Sequence, residues 1–178
     1  ADSLLAELKK ERQDSIKVHL YNDLFLIYEY NNSSKARDYL IKALILAKKI
    51  KFKKGLARTY TFLGYLAQDN ENYPLALKNH FNALRYTDNK NFEKDKTHPY
   101  ESIGLIFELQ GNYSEALKNY YAALKIKENI NDLRGITDNR ENIGGIYFFQ
   151  NNFKEALNYF LMALKSRKKM GDAREIAR

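Results

Sequence analysis

Apolar and polar positions along the chain follow the i, i+3, i+4, i+7 spacing of a helix with one buried stripe. Tyr60, Leu63, Gly64 and Ala67 form one such stripe. Tyr100, Ile103, Gly104 and Phe107, then Ile143, Gly144 and Tyr147, repeat it at multiples of 40 residues. The pattern predicts a leading helix from Ser3 to about Gln13, then first helices near 15–30, 54–70, 97–110 and 133–150. Each is followed by a partner helix, near 33–50, 73–90, 113–130 and 153–170. Asp2 or Ser3, Ser33, Thr97 and Asp132 are suited to cap helix N-termini. Pro99 stands early in its helix, where proline is tolerated, which leaves 91–96 as a loop.

The partner helices are related by the same period. Gly111-Asn-Tyr-Ser-Glu-Ala-Leu-Lys-Asn-Tyr superposes on Asn151-Asn-Phe-Lys-Glu-Ala-Leu-Asn-Tyr-Phe and on Glu71-Asn-Tyr-Pro-Leu-Ala-Leu-Lys-Asn-His. It also superposes, more loosely, on Asn31-Asn-Ser-Ser-Lys-Ala-Arg-Asp-Tyr-Leu. Ala36, Ala76, Ala116 and Ala156 make one column, and Ala43, Ala83, Ala123 and Ala163 a second. They lie seven residues apart, two helical turns, and place two small residues on one face. Gly64, Gly104 and Gly144 give the first helix the same close approach. Ala123→Leu is therefore expected to overpack, at a cost of roughly 1–3 kcal/mol, whereas Lys127→Leu is expected to cost little. Asn32, Asn72, Asn112 and Asn152 fall at the turn, where Asn tolerates left-handed backbone and caps the following helix.

The aromatic-x-x-Leu-Gly-x-x-aromatic stripe, followed by Ala, an aromatic and Ala, resembles the tetratricopeptide repeat. The resemblance covers about residues 14 to 172. The opening aromatic is Tyr60 and Tyr100 but Leu20 and Arg140 in the other repeats, and Lys48, Asp88, Glu128 and Lys168 replace the closing proline. It implies an all-α fold, a right-handed α-solenoid of stacked antiparallel helix hairpins. The divisions are a leading helix at 1–13 and repeats at 14–52, 53–92, 93–132 and 133–172. Residues 173–178 read as the start of a fifth repeat, by likeness to Lys54-Gly-Leu-Ala-Arg58. On that reading the face carrying Phe160, Leu161 and Leu164 is uncovered and available for self-association. The 40-residue period resembles arrays of bacterial sensor and regulator proteins, where such repeats precede a membrane helix and an output domain.

Composition adds limits. There is no cysteine, which removes disulfides and thiolate metal sites, and no run of apolar residues long enough to span a bilayer. Membrane association would come only through parts outside this chain. No Gly-rich phosphate loop, zinc-protease motif, nucleophile elbow or calcium loop occurs. His19, His80 and His98 are far apart, and His80 occupies a packing column with Tyr120 and Phe160. No catalytic residue, cofactor or metal is assigned, and an enzyme is not expected.

Function is expected on the first-helix face opposite the packing stripe, which lines the concave side of a stacked array. Its columns run Val18, Tyr21, Phe25, Tyr28; Arg58, Thr61, Tyr65, Gln68; His98, Glu101, Leu105, Glu108; and Asp138, Glu141, Gly145, Phe148. Tyr21, Phe25, Tyr28, Arg58, Tyr65, Gln68, His98, Glu101, Glu108, Asp138, Glu141 and Phe148 are the candidate contacts to a protein or peptide segment. The groove carries Arg58 against four carboxylates although the protein is +8, which disfavours nucleic acid there and suits a basic peptide. The positive charge collects at second-helix ends: Lys48, Lys49, Lys51, Lys53, Lys54; Lys125 and Lys127; Lys165, Arg167, Lys168 and Lys169. That edge complements the helix dipoles. The leading expectation is a protein-binding scaffold, the sensing or assembly module of a bacterial signalling protein. The alternative is a basic-edged adaptor for nucleic acid or anionic membrane.

Overall fold

A computed structural model describes residues 1–87 and 94–176, with side chains through residue 171. The described residues form α1 (Asp2–Lys10), α2 (Asp14–Tyr28), α3 (Ser33–Lys49), α4 (Lys53–Asp69) and α5 (Tyr73–Tyr86). They continue with α6 (Thr97–Leu109), α7 (Tyr113–Asn129), α8 (Leu133–Phe149) and α9 (Phe153–Ile176). The chain divides into two compact units, Ala1–Asp95 and Lys96–Arg178. In the first, α2 pairs with α3 and α4 with α5, α4 packs on α3 and α2, and α1 lies on α2. In the second, α6 pairs with α7 and α8 with α9, and α7 packs on α8. Each unit is thus built of antiparallel helical hairpins, the element of an α-solenoid.

The period of 40 has a simple local origin. Helices α3, α4, α7 and α8 are each 17 residues long. Three-residue turns join them, so half a repeat takes 20 residues. Five turns share one geometry, with Lys51, Glu71, Gly111, Asn131 and Asn151 at positive φ. The amide after each reaches back to the start of the last turn: Phe52 to Ala47, Asn72 to Ala67, Asn112 to Phe107, Asp132 to Lys127 and Asn152 to Tyr147. This is the Schellman closure, which satisfies carbonyls that a helix end leaves open. Except at Phe52, the same residue then caps the next helix. Asn32, Asn72, Asn112 and Asp132 accept the amides of Lys35, Leu75, Glu115 and Gly135. The asparagine column caps as expected, but in three of its four turns a left-handed residue stands before it. Asp132 is a cap as foreseen, whereas Ala1, Asn32 and Lys96 stand at the capping position expected of Asp2 or Ser3, Ser33 and Thr97.

Helix α9 runs through Gly171 without a turn into a fifth hairpin. Gly171 does not take the left-handed conformation that follows α3, α4, α6, α7 and α8. Residues 91–93 of the expected loop, and 177–178 of the expected fifth repeat, lie outside the described residues, while 94–96 form a short 3-10 turn.

The small-residue columns are buried throughout. Ala36, Ala43, Ala76, Ala83, Ala116 and Ala123 have no exposed surface. A Cβ added at Gly64 would stand 2.3 Å from the His80 ring, at Gly104 2.8 Å from Tyr120, and at Gly144 2.8 Å from Phe160. The glycine of each first helix therefore lies against the aromatic ring of its partner helix. In the second unit, Tyr120, Leu124, Ile136, Ile143 and Ile146 build the core. On α9 the corresponding Phe160, Leu161 and Leu164 are 40–53% exposed. Among the described residues no helix is long and apolar enough to cross a membrane.

Candidate functional site

The first-helix columns are not one uniform surface. In the first unit most of their members are occupied with packing. Phe25 is fully buried, its ring 5.1 Å from Phe62, and so is not a groove residue. It lies in the core with Ala36 and Leu40 because α4 packs directly over this part of α2. Tyr21 and Tyr28 are half-buried and flank Tyr39, with centroids at 6.2 and 5.7 Å, so both cover α3. Lys35 stands 4.0 Å over the Tyr28 ring. Arg58 donates to Asp23 at 2.7 Å and stands over Phe62. Tyr65 tilts against His80 with centroids 5.6 Å apart.

Gln68 and Glu108 have a structural task that single columns do not reveal. Gln68 Oε1 lies 2.8 Å from His80 Nε2, and Glu108 Oε2 accepts from the Tyr120 hydroxyl at 2.7 Å. His80 and Tyr120 are buried rings whose polar tips need a partner. Burial pushes the His80 imidazole down to about 4 and, together with the bond to Glu108, pushes the Tyr120 phenol up. In the fourth repeat the ring is Phe160, which has no donor, and the matching first-helix residue is Phe148. With no such partner to satisfy, Phe148 is 53% exposed.

The carboxylates of the second unit are also largely engaged. Glu101 accepts from Lys127, which also donates to the Gly135 carbonyl. His98 Nδ1 lies 3.7 Å from Glu101. Glu141 pairs with Arg167 at 2.7 Å. Asp138 is exposed and takes part in no ion pair among the described residues. The expected acidic groove is therefore neutralised from the second helices at two of its four carboxylates, Glu101 and Glu141, while Glu108 accepts from a neutral phenol. Lys127 needs a matching correction. It is only 5% exposed and belongs to a buried ion pair, not to the solvated lysine edge. Its neighbour Lys125, and Lys48, Lys49, Lys51, Lys53 and Lys54, are exposed as expected.

What remains open in the second unit is a combination of apolar surface and one free charge. Leu105 is 43% exposed, and no atom lies within 4 Å of where a Cβ at Gly145 would be. Leu105 and Gly145 occupy the same column of consecutive first helices, with Phe148 one turn beyond Gly145 and Asp138 two turns before it. Among the described residues no group of His, Asp and Glu could hold a metal ion. Sequence reasoning missed a hydroxyl triad in which Tyr121 meets Tyr147 at 3.0 Å and Tyr159 at 2.9 Å. Burial and those bonds push the Tyr121 phenol up.

The hairpins, the glycine–aromatic contacts and the helical turns define a helical-repeat protein of the interaction class. Residues 98–169 match the family described as tetratricopeptide repeat. No curated protein matches the sequence. Among solved structures, BtubC (BKLC) from P. vanneervenii shares the fold at TM-score 0.80 and 17% identity, covering 91% of this chain and 67% of that one. MamA matches at TM-score 0.67 and 20% identity, over 87% of this chain and 81% of its own. A Signal Transduction ATPase with Numerous Domains with a tetratricopeptide repeat sensor, from Pyrococcus horikoshii, matches at TM-score 0.81 and 20% identity. That match covers 96% of this chain but 27% of the other. Tetratricopeptide proteins are generally non-catalytic scaffolds for other proteins.

Proposed function

We propose that the chain is a protein-binding scaffold whose first-helix face in the second unit holds a segment of a partner protein. The observation that carries this reading is the exposure of Leu105 and Phe148, together with the open space at Gly145 one turn before Phe148. A buried core has no use for an apolar side chain in water, and clustered apolar surface with a polar rim is what partner segments use as an anchor. Asp138 and Glu108 keep a negative charge that attracts a basic residue, and the ion-paired Glu101 and Glu141 shape the rim more than its charge. Tyr65 and Arg58 are the corresponding positions on the second repeat, His98 on the third. We further infer a role as the sensing or assembly module of a larger signalling protein. The likeness to the sensor of a multi-domain signalling ATPase, of which this chain spans about a quarter, supports that reading.

Selection from a random peptide library tests the proposal. Peptides that bind the chain are expected to carry apolar anchors and a basic residue. They should lose at least tenfold in affinity on Phe148→Ser or Gly145→Gln, with a smaller loss on Asp138→Lys. Binding that ignores all three changes, and instead falls steeply with salt and with removal of Lys48, Lys49 and Lys51, would refute it in favour of the basic edge.

A further inference from the structure

The first unit contains a cleft of about 480 Å³ between the start of α3, the end of α4 and the start of α5. Leu63, Leu66 and Leu75 form its floor, and Ser33, Arg37 and Asn79 its polar wall. The cleft exists because large residues are missing from it. The column of Ser33 holds Tyr73, Tyr113 and Phe153 in the other repeats, and that of Arg37 holds Leu77, Leu117 and Leu157. Ala67 stands where later repeats have Phe107 and Tyr147. Eighty positions on, the second unit fills the same space with its own side chains. Tyr113 stacks on Phe149 at 6.2 Å, Tyr147 on Tyr159 at 5.7 Å, and Leu117 packs against the same cluster.

We propose that this cleft is a docking slot for a partner segment that presents an aromatic ring beside a carboxylate. The size and the leucine floor specify the ring, because rings occupy the equivalent space eighty residues later. A volume of this order is also that of an ordinary ligand pocket. Arg37 specifies the carboxylate. It replaces leucine, is exposed, and takes part in no ion pair among the described residues. A guanidinium at the lip of an apolar slot receives a carboxylate in two parallel hydrogen bonds. Asp69 and Glu71 adjoin the lining residues Asn70 and Asn72 on the opposite lip, so they direct the incoming carboxylate toward α3. Asn79 donates to the Leu63 carbonyl at 3.3 Å, which fixes its amide at the wall. The slot lies in the first unit and shares no residue with the face around Phe148, so its test does not depend on that face.

Synthetic peptides test the slot on the full chain. One set places a phenylalanine or tyrosine next to an aspartate in a Gly/Ser background. Its controls carry Ala for the ring or Asn for the acid. The aromatic–acidic peptides are expected to shift the amide signals of Ser33, Ser34, Asn72 and Asn79. Losing either group should weaken binding at least tenfold. Ser33→Tyr with Arg37→Leu restores the residues of the other repeats; it should keep the fold, raise the melting temperature and abolish binding. Arg37→Gln should remove only the preference for acid over amide. Phe148→Ser should leave the slot unaffected, which separates this test from that of the first-helix face. Absence of shifts with every peptide, or unchanged binding in the filled variant, overturns the proposal.

Discussion

The glycine column offers a test in which one substitution has opposite outcomes at neighbouring sites. Gly→Ala inside a helix is favourable by about 1 kcal/mol when the methyl has room. At Gly64 it has none. The new Cβ would lie 2.3, 2.5 and 2.6 Å from three atoms of the His80 ring. Ordinary carbon contacts need about 3.5 Å or more, so the ring or the helix must move by over about 1 Å. His80 is fully buried and held by Gln68 at 2.8 Å, so it cannot swing into solvent without losing that bond. Overpacking of this kind costs about 1–3 kcal/mol, and the strained hydrogen bond adds about 1 kcal/mol. Gly64→Ala should thus be destabilising by about 2 kcal/mol after the helix gain. Gly104→Ala meets Tyr120 at 2.8 Å and should lose about 1 kcal/mol. Gly144→Ala also meets a ring at 2.8 Å, but Phe160 is 40% exposed and can rotate outward. Its net change should be near zero. Gly145→Ala, with nothing within 4 Å, should be stabilising by about 0.5–1 kcal/mol. Urea unfolding followed by circular dichroism gives the order, and amide exchange separates the two units, which need not unfold together. Equal losses at Gly64 and Gly144 would show that ring contact is not what keeps this column small.

Three other measurements follow from the buried polar groups and the turns. His80 sits near pKa 4 when folded against an ordinary value of 6.5, so the unfolded chain takes up a proton first as the pH falls. Stability should be full above about pH 6.5 and decline by roughly 3 kcal/mol toward pH 4. His80→Phe, the residue of the fourth repeat, should flatten most of that slope; an unchanged slope would assign it to other groups. Glu101→Gln leaves the buried Lys127 without its carboxylate and should cost roughly 3 kcal/mol, whereas Lys127→Met leaves a Glu101 that can reach water and should cost much less. Equal urea midpoints for the two variants would contradict the buried-lysine assignment. Lys51 and Glu71 hold left-handed backbone at φ 53° and 54°. Replacing either by Gly should raise stability by about 0.5 kcal/mol, because the strain relieved exceeds the added chain entropy; a lower melting temperature would contradict the turn geometry.

The fold was legible because a repeat multiplies its own evidence. One small residue on one helix face says little, but Ala36, Ala76, Ala116 and Ala156 together leave no alternative to a close helix contact. The turns were legible only in part. Asparagine before a helix marks a cap, yet the left-handed residue of the turn is Lys51, Glu71, Gly111, Asn131 or Asn151, with no common type. Schellman closure is a backbone pattern, and hairpin packing overrides the mild preference for glycine at its left-handed position. The cleft beside Arg37 was hidden for a related reason. It arises from three departures, at Ser33, Arg37 and Ala67, that are far apart in sequence and harmless singly.

The candidate groove misled because each column was read by itself, as a row of side chains with a charge. The columns in fact come in pairs at fixed separations. Twelve residues separate Gln68 from His80 and Glu108 from Tyr120, and the same interval separates Phe148 from Phe160. An acceptor stands on the first helix where the facing ring carries a donor, and a phenyl ring where it does not. Twenty-six residues separate Glu101 from Lys127, Glu141 from Arg167 and Arg140 from Ser166, each joined by a hydrogen bond. The same interval separates Tyr60 from Tyr86, whose rings stack at 5.7 Å. The interval follows from the hairpin: the start of the first helix lies beside the end of the second. Two columns that change together from repeat to repeat are therefore in contact, and their polar members are needed to satisfy one another. Among the described residues, the exposed Leu105, Phe148 and Asp138 on the first helices and Arg37 on the second keep surface that such pairs do not use, and that surface can meet a partner.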